Sequence, residues 1–327
     1  MLKFPRSDLY RDNHLDTVIL TGASGFIGQH CIDHLLELGF RVVACYNSAD
    51  SANSLPQKKN LIWQRVNLLD TADVQKVLSA NPATHMLHMA WYAEPGKFWD
   101  SRLNLDWLRA SVNLLKVFTE CGGGRFIGAG SCAEYDWSSN TYSENTPLNP
   151  STLYGQCKSS LFQTGLQNAT TAGIEFAWGR IFWLYGPGED KRRLVPYVIN
   201  SLLSDDEASC SEGAQIRDFM HVDDLARAFA ELLKSNLQGP INIASGQGVS
   251  IKTLVQTIGR LIDKEHLLEM GAVPTKKDEP ASIIADVAKL KEKLSFNPQI
   301  ELEDGLLRTL EWWRTERSKA STQPIRK

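Results

Sequence analysis

The chain has 327 residues, 43% of them hydrophobic, and a formal net charge of −3, enough to bury a sizeable core as one large α/β unit with a smaller second lobe. Mild acidity without a long basic cluster argues against nucleic acid or an anionic membrane as partner and leaves small molecules. No apolar stretch reaches the roughly 20 residues that a membrane span needs.

In chain order, residues 1–15 are polar, carrying Asp8, Arg11, Asp12 and His14. They lack a secretory apolar core, so a cytoplasmic location and a loosely ordered start are expected. The run Val18–Thr21 then ends abruptly in Gly22-Ala23-Ser24-Gly25-Phe26-Ile27-Gly28. This reads as a buried strand, a tight turn and a helix start. Gly22 permits the turn, Gly25 lets backbone approach a pyrophosphate, and Gly28 lets helix pack on strand. The spacing G-x-x-G-x-x-G is one residue longer in its first gap than the commoner dinucleotide fingerprint, and a tight structural connection would look similar.

Apolar strand patterns then alternate with amphipathic helices: Gln29–Leu38, Arg41–Cys45, Ala72–Leu78, Met86–Ala90, Leu103–Glu120, Arg125–Ala129, Tyr154–Thr171 and Glu175–Phe182. Strand–helix–strand grammar of this kind predicts a doubly wound parallel sheet, with its ligand crevice at the carboxyl ends of the strands. After Tyr185-Gly186-Pro187-Gly188 the grammar breaks at the charged stretch Glu189 to Arg193. The expected division is therefore a dinucleotide-binding domain over 16–185, with 217–250 returning to it. A mixed substrate lobe takes 186–216 and 251–313, and 314–327 form a loose tail. Six scattered cysteines without a CxxC pair read as reduced thiols; no metal site is implied.

Tyr154 and Lys158 lie four apart on a predicted helix and so share a face. A free phenol has a pKa of about 10, and a neighbouring ammonium favours the phenolate, moving it toward the range useful for proton transfer. The same spacing also suits a surface Tyr–Lys pair. Upstream, Phe126 to Tyr135 is a strand running out into small residues, with Ser131 placed to hydrogen-bond a carbonyl.

These segments together resemble the extended short-chain dehydrogenase/reductases, the group of NAD(P)-dependent nucleotide-sugar epimerases, dehydratases and reductases built on the Rossmann fold. The matching motifs are TGASGFIG (21–28), HMA (88–90), GSCAEY (130–135), YGQCK (154–158), YGPG (185–188), RDFMHVDD (217–224) and NIASGQGVSI (242–251). The resemblance implies Tyr154 as general acid/base, Lys158 as anchor of the nicotinamide ribose, and Ser131 as holder of the reacting oxygen. It also places Gly22, Ser24, Gly25, Phe26, Ile27, Gly28 and Ala90 on the cofactor. Arg217 matches the position that contacts the substrate diphosphate, although pairing with Asp218 or Asp223 is the competing reading.

Departures from the family pattern narrow the chemistry. The dehydratases carry an Asp-Glu pair after the Ser/Thr, where this chain has Cys132 and Ala133. GDP-fucose synthases use a cysteine at the position of Ala133. Elimination and 3,5-epimerisation are thus disfavoured, and Cys132, on the substrate side, reads as packing, with a role as nucleophile or acid the competing reading. What remains is reduction of a 4-keto sugar attached to a nucleoside diphosphate, or NAD-dependent C4 epimerisation. A non-catalytic NAD(P)-binding regulatory module is the reading from another class.

The NAD form of the fold wants a carboxylate after the second strand; this chain has Tyr46, Asn47 and Ser48 there, which favours NADP(H) over NAD(H). Asn67 stands where the family often has an Asp on the adenine. Trp183 replaces the Asn of Arg-x-x-Asn, and Trp91 and Tyr92 open an aromatic loop. Such rings stack on a hexose, cover a deoxy methyl, or simply pack lobes together. The apolar stripes of Leu103–Glu120 and Tyr154–Thr171 lead to the expectation of a homodimer, as the family commonly forms.

Overall fold

The computed structural model describes residues 15–47, 55–275 and 279–322. Ser48 and residues 1–14, for which expectations were stated above, lie outside that set. In chain order the elements begin β1 (Thr17–Thr21), α1 (Phe26–Glu37), β2 (Arg41–Tyr46), β3 (Leu61–Arg65), α2 (Thr71–Ala80), β4 (His85–His88), α3 (Leu103–Glu120) and β5 (Arg125–Ser131). They continue with β6 (Thr141–Tyr142), α4 (Leu153–Ala172), β7 (Glu175–Ile181), β8 (Trp183–Tyr185), α5 (Leu194–Leu203), β9 (Ala208–Cys210) and β10 (Ile216–His221). The chain then forms α6 (Val222–Lys234), β11 (Gly239–Ile243), β12 (Gly248–Ser250), α7 (Ile251–Ile262), β13 (Leu268–Met270), β14 (Ser282–Ala285), α8 (Ala288–Leu294) and α9 (Leu302–Thr322).

Seven parallel strands in the order β11-β7-β5-β4-β1-β2-β3 form the main sheet. Successive side chains of a strand point to opposite faces, and both faces are covered. Val18, Leu20, Val42 and Ala44 pack with Cys31, Leu35 and Phe229 of α1 and α6. Ile19, Val43 and Met86 pack with Val74, Leu114 and Leu161 of α2, α3 and α4. The strand order reverses between β1 and β4, so the crevice opens at the ends of those strands and of β5.

A second sheet has the order β12-β10-β14-β6, with β8 also paired to β10. The smaller lobe has its own core, where Val198, Leu202, Leu254, Ile258 and Leu306 bring α5, α7 and α9 together. Segment 217–250 divides: α6 and β11 belong to the main sheet layer, whereas β10 and β12 build the second sheet. Helix α9 runs to Thr322, past Arg314, where polarity suggested a loose tail. Its start buries Leu306 and Leu310, and helical periodicity continues from that anchor. Among the described residues no helix is long and apolar enough to cross a membrane.

Candidate active site

The glycines set up the nucleotide end of the crevice. Gly22 sits at φ +68°, and a Cβ there would lie 2.9 Å from the Ala90 nitrogen. A Cβ on Gly28 would come 2.1 Å from the Gly22 carbonyl oxygen, so α1 rests directly on the turn that precedes it. Gly25 is the N-cap of α1 and supplies no side-chain cap. The first-turn N–H groups are thereby left for an anionic ligand, and a pyrophosphate fits the cradle in shape and in sign. Phe26 and Ile27 line the cleft beside these glycines, while Ser24 is exposed on the turn.

The ribose end lies at the edge of β2. Tyr46 is half-buried and Asn47 exposed. Arg65 pairs in register with Tyr46 and donates Nε to the Asn47 carbonyl at 3.2 Å. This cation was hidden in the sequence because β3 was not expected; its Leu-Ile-Trp-Gln-Arg run is short and polar at one end. Asn67 uses its side-chain carbonyl locally, accepting from the Leu69 N–H at 3.1 Å.

At the chemical end, β5 carries glycines at 128 and 130 so that the indole of Trp178, on neighbouring β7, can lie across it. A Cβ at either glycine would fall 2.2 Å from that ring. The Trp178 Nε1 donates to Glu134 at 2.9 Å, and Glu134 accepts from the Ser131 N–H at 2.8 Å and from Arg180 Nε at 2.9 Å. Ser131 caps the 3-10 turn Cys132–Glu134 in return, accepting from the Ala133 N–H at 3.2 Å. The fully buried Glu134 therefore fixes Ser131 from behind and is not among the residues that line the cleft.

Helix α4 delivers the other two groups. Thr152 caps it by accepting from the Gly155 N–H at 3.1 Å. A Cβ on Gly155 would meet the Ala133 carbonyl at 2.2 Å, so the helix starts hard against the Ser131 turn. Tyr154 donates its backbone N–H to the Trp99 carbonyl at 2.8 Å. Its ring is met edge-on by Phe98 at 4.9 Å and by Trp99 at 5.8 Å between centroids. Lys158 is buried, donates Nζ to the Ala129 carbonyl at 2.9 Å, and lies 5.9 Å from the Tyr154 ring centroid.

Electrostatics correct one expectation. Burial raises the Tyr154 pKa above that of a free phenol, outweighing the hydrogen bond with the Ser131 side chain and the charge of Arg193, which act the other way. Desolvation thus outweighs the effect expected from Lys158, whose ammonium lies 3.9 Å from the Trp91 ring centroid and 5.9 Å from that of Tyr154. Burial pushes Lys158 itself down to about 7, with Glu134 acting the other way. Desolvation also pushes the Cys132 thiol up to about 12, so it stands on the cleft wall as a neutral thiol.

Ser131, Tyr154, Lys158, Ala90, Trp91, Cys132 and Trp183 all line one cavity of about 660 Å3 together with the glycine turn. Tyr92 and Arg217 are not brought to that wall. The Tyr92 hydroxyl donates to Glu94 at 3.1 Å. Arg217 is buried, pairs with Glu279 at 2.7 Å and stacks over Trp183 at 5.1 Å. Its partner is neither Asp218 nor Asp223. Charged groups not singled out in the sequence also line the cleft, Glu189 and Arg193 among them. Burial lifts Glu189 to about 8, and its Oε2 has no hydrogen-bond partner in the protein.

A doubly wound sheet with a glycine turn under α1, and Ser131, Tyr154 and Lys158 at the ends of β5 and α4, defines the extended short-chain dehydrogenase/reductase class. The model of the NAD dependent epimerase/dehydratase family matches residues 18–244, and the chain belongs to that family of NAD(P)-dependent nucleotide-sugar enzymes. CDP-abequose synthase of Salmonella typhimurium is 26% identical over 301 residues, covering 88% of this chain and 95% of that protein. UDP-glucuronate 4-epimerase of Thermodesulfobacterium geofontis is 24% identical over 316 residues, 90% and 95% of the two chains. The fold matches the UDP-glucose 4-epimerase structure from Thermotoga maritima at a TM-score of 0.82 and 23% identity, over 92% of this chain and 99% of that one. MoeE5 in complex with UDP-glucuronic acid and NAD matches at 0.80 and 27% identity, with the same coverage.

Proposed function

We propose that this protein reduces a 4-keto sugar attached to a nucleoside diphosphate, using NADP(H). The observation that carries this reading is the convergence of Ser131, Tyr154 and Lys158 on one cavity, where positions 132 and 133 bring a thiol and a methyl in place of the acids that elimination requires. A dinucleotide with its pyrophosphate on the glycine turn would bring its nicotinamide toward Tyr154 and Lys158 and would supply the hydride. Tyr154 gives its proton to the carbonyl oxygen. Burial keeps the phenol protonated at neutral pH, the form that a proton donor needs. The Ser131 hydroxyl donates to the same oxygen as negative charge develops, and Lys158 places a cation beside the ribose.

NADP(H) is supported by the absence of an acid at Tyr46 and Asn47 and by Arg65, in register with Tyr46 and bonded through Nε to the Asn47 carbonyl, whose remaining guanidinium nitrogens would offer a 2′-phosphate a charge-assisted contact. A homodimer is supported by Leu103 and Leu105 on α3 and Leu166 on α4, which remain exposed; sedimentation yielding a monomer would overturn it. The test of function is loss of NADPH absorbance with a panel of 4-keto sugar nucleotides. Turnover supports the reductase. Co-purified NAD with sugar interconversion in the absence of added cofactor would make the protein a C4 epimerase, the activity that several relatives carry in their names. Tight cofactor binding without either activity would make it a regulatory module.

A further inference from the structure

Lys158 enters the cleft as a buried cation whose ammonium has two electron-rich neighbours, the Ala129 carbonyl at 2.9 Å and the face of Trp91, with its centroid at 3.9 Å. Other titratable groups around it give it little support. Glu134 is committed to Ser131, Trp178 and Arg180. His88 on β4 is buried and neutral, held by Thr21 at 2.7 Å and Ser111 at 2.9 Å. Tyr154 presents a protonated phenol.

Trp91 itself has little freedom. Its Nε1 donates to Asn104 Oδ1 at 2.9 Å, and the fully buried Asn104 donates in turn to the Phe98 carbonyl at 2.7 Å and the Ser101 carbonyl at 2.9 Å. Trp107 and Tyr154 flank the indole at 6.3 and 6.4 Å. With its N–H bound to α3 and its face under an ammonium, this ring is turned to the lysine.

We infer that Trp91 is a positioning residue for Lys158: the indole, clamped by Asn104, seats the ammonium by cation–π contact and keeps it cationic and aimed within the cleft. The inference rests on the cofactor role given to Lys158 above, but the seat is measurable without that role. A desolvated cation–π contact strengthens the hold on the proton about tenfold or somewhat more.

The experiment is a pH titration of 13Cε-lysine signals in the full, ligand-free chain, with Lys158 identified as the resonance lost in Lys158→Arg. The wild-type midpoint falls near 7. Trp91→Met, similar in flexibility to a packing residue but without a π face, lowers it by about one pH unit; Trp91→Phe restores most of the shift. Asn104→Ser, which loosens the clamp, moves it in the same direction and serves if Trp91→Met does not fold. A midpoint unmoved in Trp91→Met, or in Asn104→Ser where that variant replaces it, overturns the seat. NADPH affinity measured across the same pH range tests the underlying reading separately. If affinity ignores the Lys158 titration while the midpoint shifts as stated, the seat stands and the cofactor role fails.

Discussion

Replacing Lys158 with methionine should stabilise the fold while abolishing function. Lowering the lysine from 10.5 to about 7 corresponds to about 5 kcal/mol set against the buried ammonium. Methionine fills similar space without that charge. The variant gives up the hydrogen bond to the Ala129 carbonyl and the contact with Trp91, together about 2 kcal/mol. The remainder is a gain of about 2–3 kcal/mol near neutral pH. Its pH dependence has a definite sign. In the unfolded chain the lysine keeps its ordinary affinity, so between pH 7 and 10 the unfolded state binds more protons and wild-type stability rises with pH. The variant lacks that increment, so its advantage is largest near pH 7 and fades toward pH 10. Chemical unfolding of both ligand-free proteins at several pH values reads the difference, and titrations common to both cancel. A variant less stable than wild type at pH 7, or an advantage that does not shrink as pH rises, would refute the reasoning.

Arg65→Ala should weaken binding of 2′,5′-ADP by about 10- to 100-fold, the worth of one charge-assisted phosphate contact, while leaving 5′-ADP unchanged; calorimetric titration of both nucleotides decides it. Equal losses for the two would show that Arg65 only supports the β2 edge. Glu189 has a folded pKa of about 8 against an ordinary carboxyl near 4.3. Its neutral form stabilises the native state at low pH, and that contribution is lost as pH rises from the ordinary value through 8. Glu189→Gln should therefore be the more stable protein above pH 8, by up to about 5 kcal/mol, and unfolding curves at pH 5 and pH 9 provide the comparison.

Most of the main sheet could be read from local signals, because parallel strands buried on both faces are continuous apolar runs and the helices between them carry clear periodicity. Leu103–Glu120 was bounded correctly to the residue. The edge strand β3 lacked such a run, and with it went Arg65, whose place beside Asn47 is a matter of sheet register. Ser131, Tyr154 and Lys158 were legible as motifs, yet their meeting depends on Gly155 against Ala133 and on Trp178 under Gly128 and Gly130. The proton affinities were not legible. A helical spacing says that two side chains share a face, but it does not say that the lysine turns to Trp91 or that desolvation dominates the phenol. Arg217 likewise finds Glu279, 62 residues away, through the folding of the second sheet.

The most direct measurement of the central claim compares wild type and Tyr154→Phe for NADPH consumption with the best 4-keto sugar nucleotide, alongside NADPH affinity. Loss of a positioned proton donor predicts a turnover number about 10²- to 10⁴-fold lower, with cofactor affinity nearly unchanged. Equal turnover by the two proteins would contradict the assignment of Tyr154 as the acid and, with it, the reductive mechanism.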